Sequence, residues 1–63
     1  MSIGENIHHL RLKKGLTQNK LAELLFVSPQ AVSKWETGKS TPNTEMLPAI
    51  AQALSVSISK LFD

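Results

Sequence analysis

The chain has 63 residues, 41% of them hydrophobic, and a formal net charge of +2. That length holds one small domain, residues 1–63, and the apolar share is enough for a packed core, which excludes global disorder. Cysteine is absent, which excludes a disulfide framework and a thiolate metal site.

The adjacent His8 and His9 point about 100° apart on a helix, and with no companion ligand they read as solvated surface residues. No metal, cofactor or small-molecule site is expected. The N-terminus has neither the basic start nor the apolar run of a signal peptide. No segment approaches the roughly 20 apolar residues of a membrane span. The expectation is a cytoplasmic protein with no membrane partner.

The pattern predicts five helices and no strand, an all-α fold. Ser2 followed by Glu5 has capping-box spacing, so the first helix starts after Ser2. Ile3, Ile7 and Leu10 make its inner stripe. Lys13 and Lys14 suit its last turn, and Gly15 stops it. Thr17 caps a second helix carrying Leu21, Leu24 and Leu25 inward, with the small Ala22 where two helices cross closely. Ser28 caps a third helix with Pro29 at its first position, where proline loses no needed hydrogen bond. Ala31, Val32 and Trp35 face inward, and Gly38 ends it. Lys39–Asn43 is a loop by composition. A fourth helix is expected from about Thr44 to Leu54, with Pro48 early in it and Leu47, Ile50, Ala51 and Leu54 inward. Ser57 caps a last short helix carrying Ile58, Leu61 and Phe62.

The second and third helices, joined by a tight turn, have the layout of a helix-turn-helix reading head. The third has an apolar inner face and a polar outer one, so it can dock on its own domain while presenting hydrogen-bonding groups to base edges. Gln30, Ser33, Lys34 and Thr37 follow i, i+3, i+4, i+7 spacing. The net charge is only mildly basic, so the placement of these groups carries the reading rather than charge. Trp35 reads as core from its spacing with Val32, not as a base-stacking residue.

Taken together, Gly15-Leu16-Thr17-Gln18, Leu21-Ala22, Val27-Ser28, Val32-Ser33-Lys34-Trp35-Glu36 and Gly38-Lys39 resemble the lambda-repressor-like helix-turn-helix domains, of the Cro/repressor and XRE types. Pro42, Leu47 and Ala51-Gln52-Ala53-Leu54-Ser55-Val56-Ser57 extend the resemblance over nearly the whole chain. Two positions depart from it: Phe26 and Ser55 stand where the family often has glycine. A bulky residue with positive φ at Phe26 costs roughly 1 kcal/mol or more.

The resemblance implies a compact five-helix domain that binds double-stranded DNA as a phage- or bacterial-type transcriptional regulator, a repressor, with the third helix in the major groove. Ser28, Pro29, Gln30, Ser33 and Lys34 are the expected base contacts. Gln30 suits adenine and Lys34 suits guanine O6 and N7, each good pair discriminating by roughly 1–3 kcal/mol. Gln18 is the expected phosphate contact, helped by the positive end of its helix, with Asn19, Thr37, Lys39 and Ser40 adding to the clamp. Lys13 and Lys14 either lie near the clamp or are simply solvated.

The family also implies an ion pair between Arg11, the only arginine, and Glu36. Arginine's planar fork suits a carboxylate; the alternative is a solvated or phosphate-binding Arg11. Family members commonly dimerise on near-palindromic operators, and Val56, Ile58, Leu61 and Phe62 are the candidate homodimer surface, some of them needed for the core instead. A protein-interaction or antitoxin-type module, working through Phe26 and Phe62, is the competing reading. An enzyme is not expected, since no nucleophile–base–orienter set, phosphate-binding glycine loop or acidic metal cluster is present.

Overall fold

Each of the first three helices begins on a hydroxyl side chain and ends on a residue with positive φ. In the computed structural model, which describes residues 2–63, these are α1 (Ile3–Lys14), α2 (Gln18–Leu25) and α3 (Pro29–Thr37). Ser2 and Glu5 form the reciprocal capping box: the Glu5 amide donates to Ser2 Oγ at 3.1 Å and the Ser2 amide donates to Glu5 Oε1 at 2.9 Å. Thr17 and Ser28 cap α2 and α3 by accepting from the Lys20 and Ala31 amides. Two of the endings use glycine, Gly15 and Gly38. The third falls on Phe26, at φ 59° and ψ 39°, so the departure from glycine is a real left-handed residue carrying a side chain.

Among the described residues there are four α-helices, not five, and no strand. The fourth, α4, is Leu47–Ala53, preceded by a single 3-10 turn at Thr44–Met46. Pro48 explains the late start. It has no amide hydrogen to reach back to residue 44, so the entry tightens: the Met46 amide donates to Asn43 O at 2.9 Å and the Leu47 amide to Thr44 O. The expected fifth helix is also a 3-10 segment, Ile58–Phe62. Ser57 precedes it but does not cap it through its side chain. The Lys60 amide is already taken by the Ser57 carbonyl at 3.0 Å, and the Ser57 hydroxyl pairs with that of Ser59 instead.

Ile7, Leu21, Val32, Ile50 and Leu61, one from each main segment, form the fully buried centre, and Ala22, Trp35, Leu47, Ala51 and Leu54 surround them. Leu61 has no exposed surface, which removes it from the candidate dimer surface. The last segment has too few residues to hold itself against the bundle without burying one of its side chains. Asn6 secures it: buried on α1, it donates from Nδ2 to Leu61 O at 2.8 Å and to Asp63 O at 3.4 Å.

The crossing of α1 on α3 is set by Gly4. A Cβ there would collide with the Trp35 carbonyl oxygen and lie 2.9 Å from its carbon, so the helices can touch backbone to backbone only because residue 4 has no side chain. This contact fixes how far α3 stands out from the body of the domain.

Candidate nucleic-acid interface

Packing of Val32 and Trp35 against the core turns the opposite side of α3 to solvent. Gln30, Lys34 and Thr37 are exposed along that side, Ser33 is half-buried, and Ser28 and Pro29 are exposed at its start. The predicted base-contact residues therefore lie on one face, in one helix held by two others. Two of the hydroxyls have local duties. Ser28 Oγ accepts the Ala31 amide as the cap, and Thr37 Oγ1 donates back to Ser33 O at 3.0 Å. Gln30 and Lys34 are left as the longest free polar ends on the face.

Of the predicted phosphate contacts, Asn19, Lys39 and Ser40 are exposed. The Lys39 and Ser40 amides turn back to the Lys34 carbonyl at 2.9 and 3.3 Å, which holds the loop after α3 close to the helix end. Gln18 is half-buried, at the N-terminus of α2, and its Nε2 donates to Glu36 Oε1 at 3.0 Å. Lys13 and Lys14 are exposed on the last turn of α1.

Arg11 and Glu36 meet beneath this surface. Arg11 Nε donates to Glu36 Oε2 at 2.7 Å and its Nη2 to Glu36 Oε1 at 3.0 Å, the two-pronged geometry that planar guanidinium and carboxylate groups favour. A third prong, Nη1, donates to Leu16 O at 2.8 Å. The cluster thus ties α1, the turn after it, α2 and α3 at one point. The Glu36 side chain is only 3% exposed. Burial pushes its carboxyl up, but hydrogen bonds from Arg11, then Gln18 and His8, outweigh that and hold it at about 2.

His8 is not a free surface histidine. Its Nδ1 lies 2.8 Å from Glu36 Oε1 and 3.2 Å from Arg11 Nη2. His9, next to it, is exposed. Sequence reasoning missed His8, Asn6 and Gly4. The signal for His8 was its i, i+3 spacing to Arg11 on one helix face. The signal for Gly4 was a glycine inside a helix, where no turn requires one.

A family model for helix-turn-helix domains matches residues 7–61, which takes in α2, the turn after it and α3. The chain belongs to the helix-turn-helix family. Its type is that of the Cro/C1 and XRE helix-turn-helix domains. Among its relatives is the HTH-type transcriptional activator BcrR of Enterococcus faecalis, 49% identical over 61 residues, covering 97% of this chain and 30% of that protein. The chain thus spans less than a third of the activator's length. Among solved structures it is similar to the P22 c2 repressor in complex with a synthetic operator, at 36% identity and a TM-score of 0.88, covering 97% of this chain and 92% of that one. It is also similar to the restriction-modification controller protein C.AhdI from Aeromonas hydrophila, at 30% identity and a TM-score of 0.88, covering 95% and 91%. Among the described residues no helix is long and apolar enough to cross a membrane.

Proposed function

We propose that this domain reads double-stranded DNA sequence as part of a transcription regulator, with α3 lying in the major groove. The observation that carries the reading is the exposed face of α3. Gln30 and Lys34 stand free on a helix whose other side is locked into the core, and the likeness to a repressor described with its operator covers nearly the whole chain. Gln30 pairs with adenine and Lys34 with guanine; Ser33 and Pro29 add shorter polar and apolar contacts. Gln18, Asn19, Thr37, Lys39 and Ser40 grip the phosphates on either side and set the register.

One copy of so small a domain makes few base contacts, so useful affinity calls for two. We infer a homodimer on a near-palindromic operator with half-sites about one helical turn apart. Ile58 and Phe62, 43% and 61% exposed, with the half-buried Val56 beside them, form the apolar surface for it. The relatives include repressors and an activator. Repression is the form proposed for this protein, because occupying an operator asks nothing of the domain beyond binding.

Two substitutions test the division of labour. Lys34→Ala is expected to relax base preference at one position per half-site, by roughly 1–3 kcal/mol. Gln18→Ala is expected to weaken binding to all duplexes about equally. Equal effects of both changes on every sequence would overturn the assignment of reading and clamping residues.

A further inference from the structure

Glu36 is ionised at neutral pH and almost wholly buried, its carboxyl held at about 2 and its side chain 3% exposed. A carboxylate only accepts hydrogen bonds, so every group that faces it must donate. Arg11 Nε serves Oε2 at 2.7 Å, while Arg11 Nη2, His8 Nδ1 and Gln18 Nε2 converge on Oε1 at 3.0, 2.8 and 3.0 Å. Arg11 and His8 come from α1, and Gln18 is the partner from α2. Of these partners only Gln18 is also assigned to the phosphate clamp.

A glutamine amide has two unlike ends, an oxygen that accepts and a nitrogen with two N–H donors, and on a free side chain either end can face a given neighbour. Here the neighbour decides. The amide oxygen turned toward Glu36 would meet a carboxylate oxygen, so the nitrogen faces inward and one N–H is engaged there. The second N–H lies about 120° from the first in the amide plane. Among the described residues no other side-chain hydrogen bond is made by Gln18. The residue is half-buried at the start of α2, so its side chain is held on the protein side and reached by solvent on the other. A phosphate oxygen takes hydrogen bonds and gives none, so a fixed donor is what it requires. Of the side chains assigned to the clamp, Gln18 is the one tied to another helix; Thr37 bonds only within its own.

We propose that Glu36 is a positioning residue for DNA binding: it holds the Gln18 amide in its donor orientation, with one N–H left for a phosphate oxygen, so that this part of the clamp is ordered before DNA arrives. The inference rests on the DNA-reading function given above. The gain is entropic. A long side chain that is immobilised only on binding lowers affinity, and one already immobilised does not. The carboxylate that joins α1 to α3 thereby also sets a side chain of α2.

The test has two readouts. In the free wild-type protein, the two Gln18 Nε2 protons are expected to give separate NMR signals, one displaced by its bond to the carboxylate, with the order of a rigid group on the ps–ns timescale. On addition of a duplex selected from a randomised library, the other proton should move most. Averaged, solvent-like signals in the free protein would overturn the inference. The second readout is a double-mutant cycle on affinity for that duplex. Gln18→Ala is measured in the wild type and in a background where Arg11→Met and Glu36→Met together replace the buried pair by apolar side chains, a change that folded domains tolerate better than loss of one partner. Gln18→Ala is expected to weaken binding about tenfold per protomer in the wild type and only about twofold in that background. Circular dichroism checks that the background is folded; if it is not, the NMR signals decide. Equal losses in both would show that Gln18 grips without help from Glu36 and would overturn the inference alone. Absence of wild-type binding to any duplex would overturn the DNA-reading function and the inference with it.

Discussion

Glu36→Gln replaces a carboxylate by a neutral amide of the same shape, which is close to what protonation of Glu36 does. The two perturbations should therefore cost the same and should not add. A carboxyl held at about 2 in the folded chain, against 4.5 for the ordinary group, contributes about 3 kcal/mol at neutral pH, at about 1.4 kcal/mol per pH unit. The folded value is the depressed one, so this stability is fully present above pH 4.5 and is lost as pH falls toward 2. A domain of this size has a total of about 3–9 kcal/mol, so the variant should lose a third of it or more at pH 7. At pH 3 the wild type has already given up about 2 kcal/mol of the contribution, and the gap between the two proteins should shrink to about 1.4 kcal/mol. Urea unfolding followed by circular dichroism at pH 7 and pH 3, for both proteins, measures this directly. A gap that is the same at both pH values, or under about 1 kcal/mol at pH 7, would refute the view that the ionised Glu36 holds α1, α2 and α3 together.

Three further outcomes follow from the fold. Gly4→Ala gains about 1 kcal/mol of helix propensity but drives a methyl group into the Trp35 backbone; a net loss of about 2 kcal/mol or more is expected, and an unchanged Tm would show that α1 and α3 separate freely. Phe26→Gly removes left-handed strain from a side chain that is 95% exposed, against a cost in unfolded-chain entropy of about 0.5–1 kcal/mol, so stability should hold or rise slightly by thermal melting; a loss above about 1 kcal/mol would mean that Phe26 packs productively. Leu61→Ala should cost about 2–5 kcal/mol by leaving a cavity, whereas Phe62→Ala should leave the melt nearly unchanged and weaken dimerisation, measured by sedimentation; the reverse pattern would misplace the core.

The legible parts of the sequence were those with a local cause. Ser2–Glu5, Thr17, Ser28-Pro29, Gly15 and Gly38 each fix a helix end through neighbours three or four residues away, and the structure has those ends where the sequence places them. The exposed face of α3 was legible for the same reason, since Val32 and Trp35 on one side of the helix put Gln30 and Lys34 on the other. What was not legible depended on distant partners. The inner face of α1 includes Gly4, Asn6 and Arg11, which look polar or indifferent by periodicity and are buried because Trp35, Leu61 and Glu36 meet them from elsewhere in the chain. His8 was read as solvated because its partner lies 28 residues away. The length of the fourth helix and the nature of the last segment were misjudged because 3-10 and α turns share the same caps and apolar residues; Pro48 was the one local clue.

The central claim is that α3 reads DNA sequence as half of a symmetric pair. Selection of the purified protein on a randomised duplex library at two salt concentrations, with sequencing of the retained DNA, tests it most directly. The account predicts a two-fold symmetric motif with half-sites about one helical turn apart and an affinity that falls steeply as salt rises. Retention without an enriched motif, or no retention at either salt concentration, would contradict it and would turn attention to a protein partner.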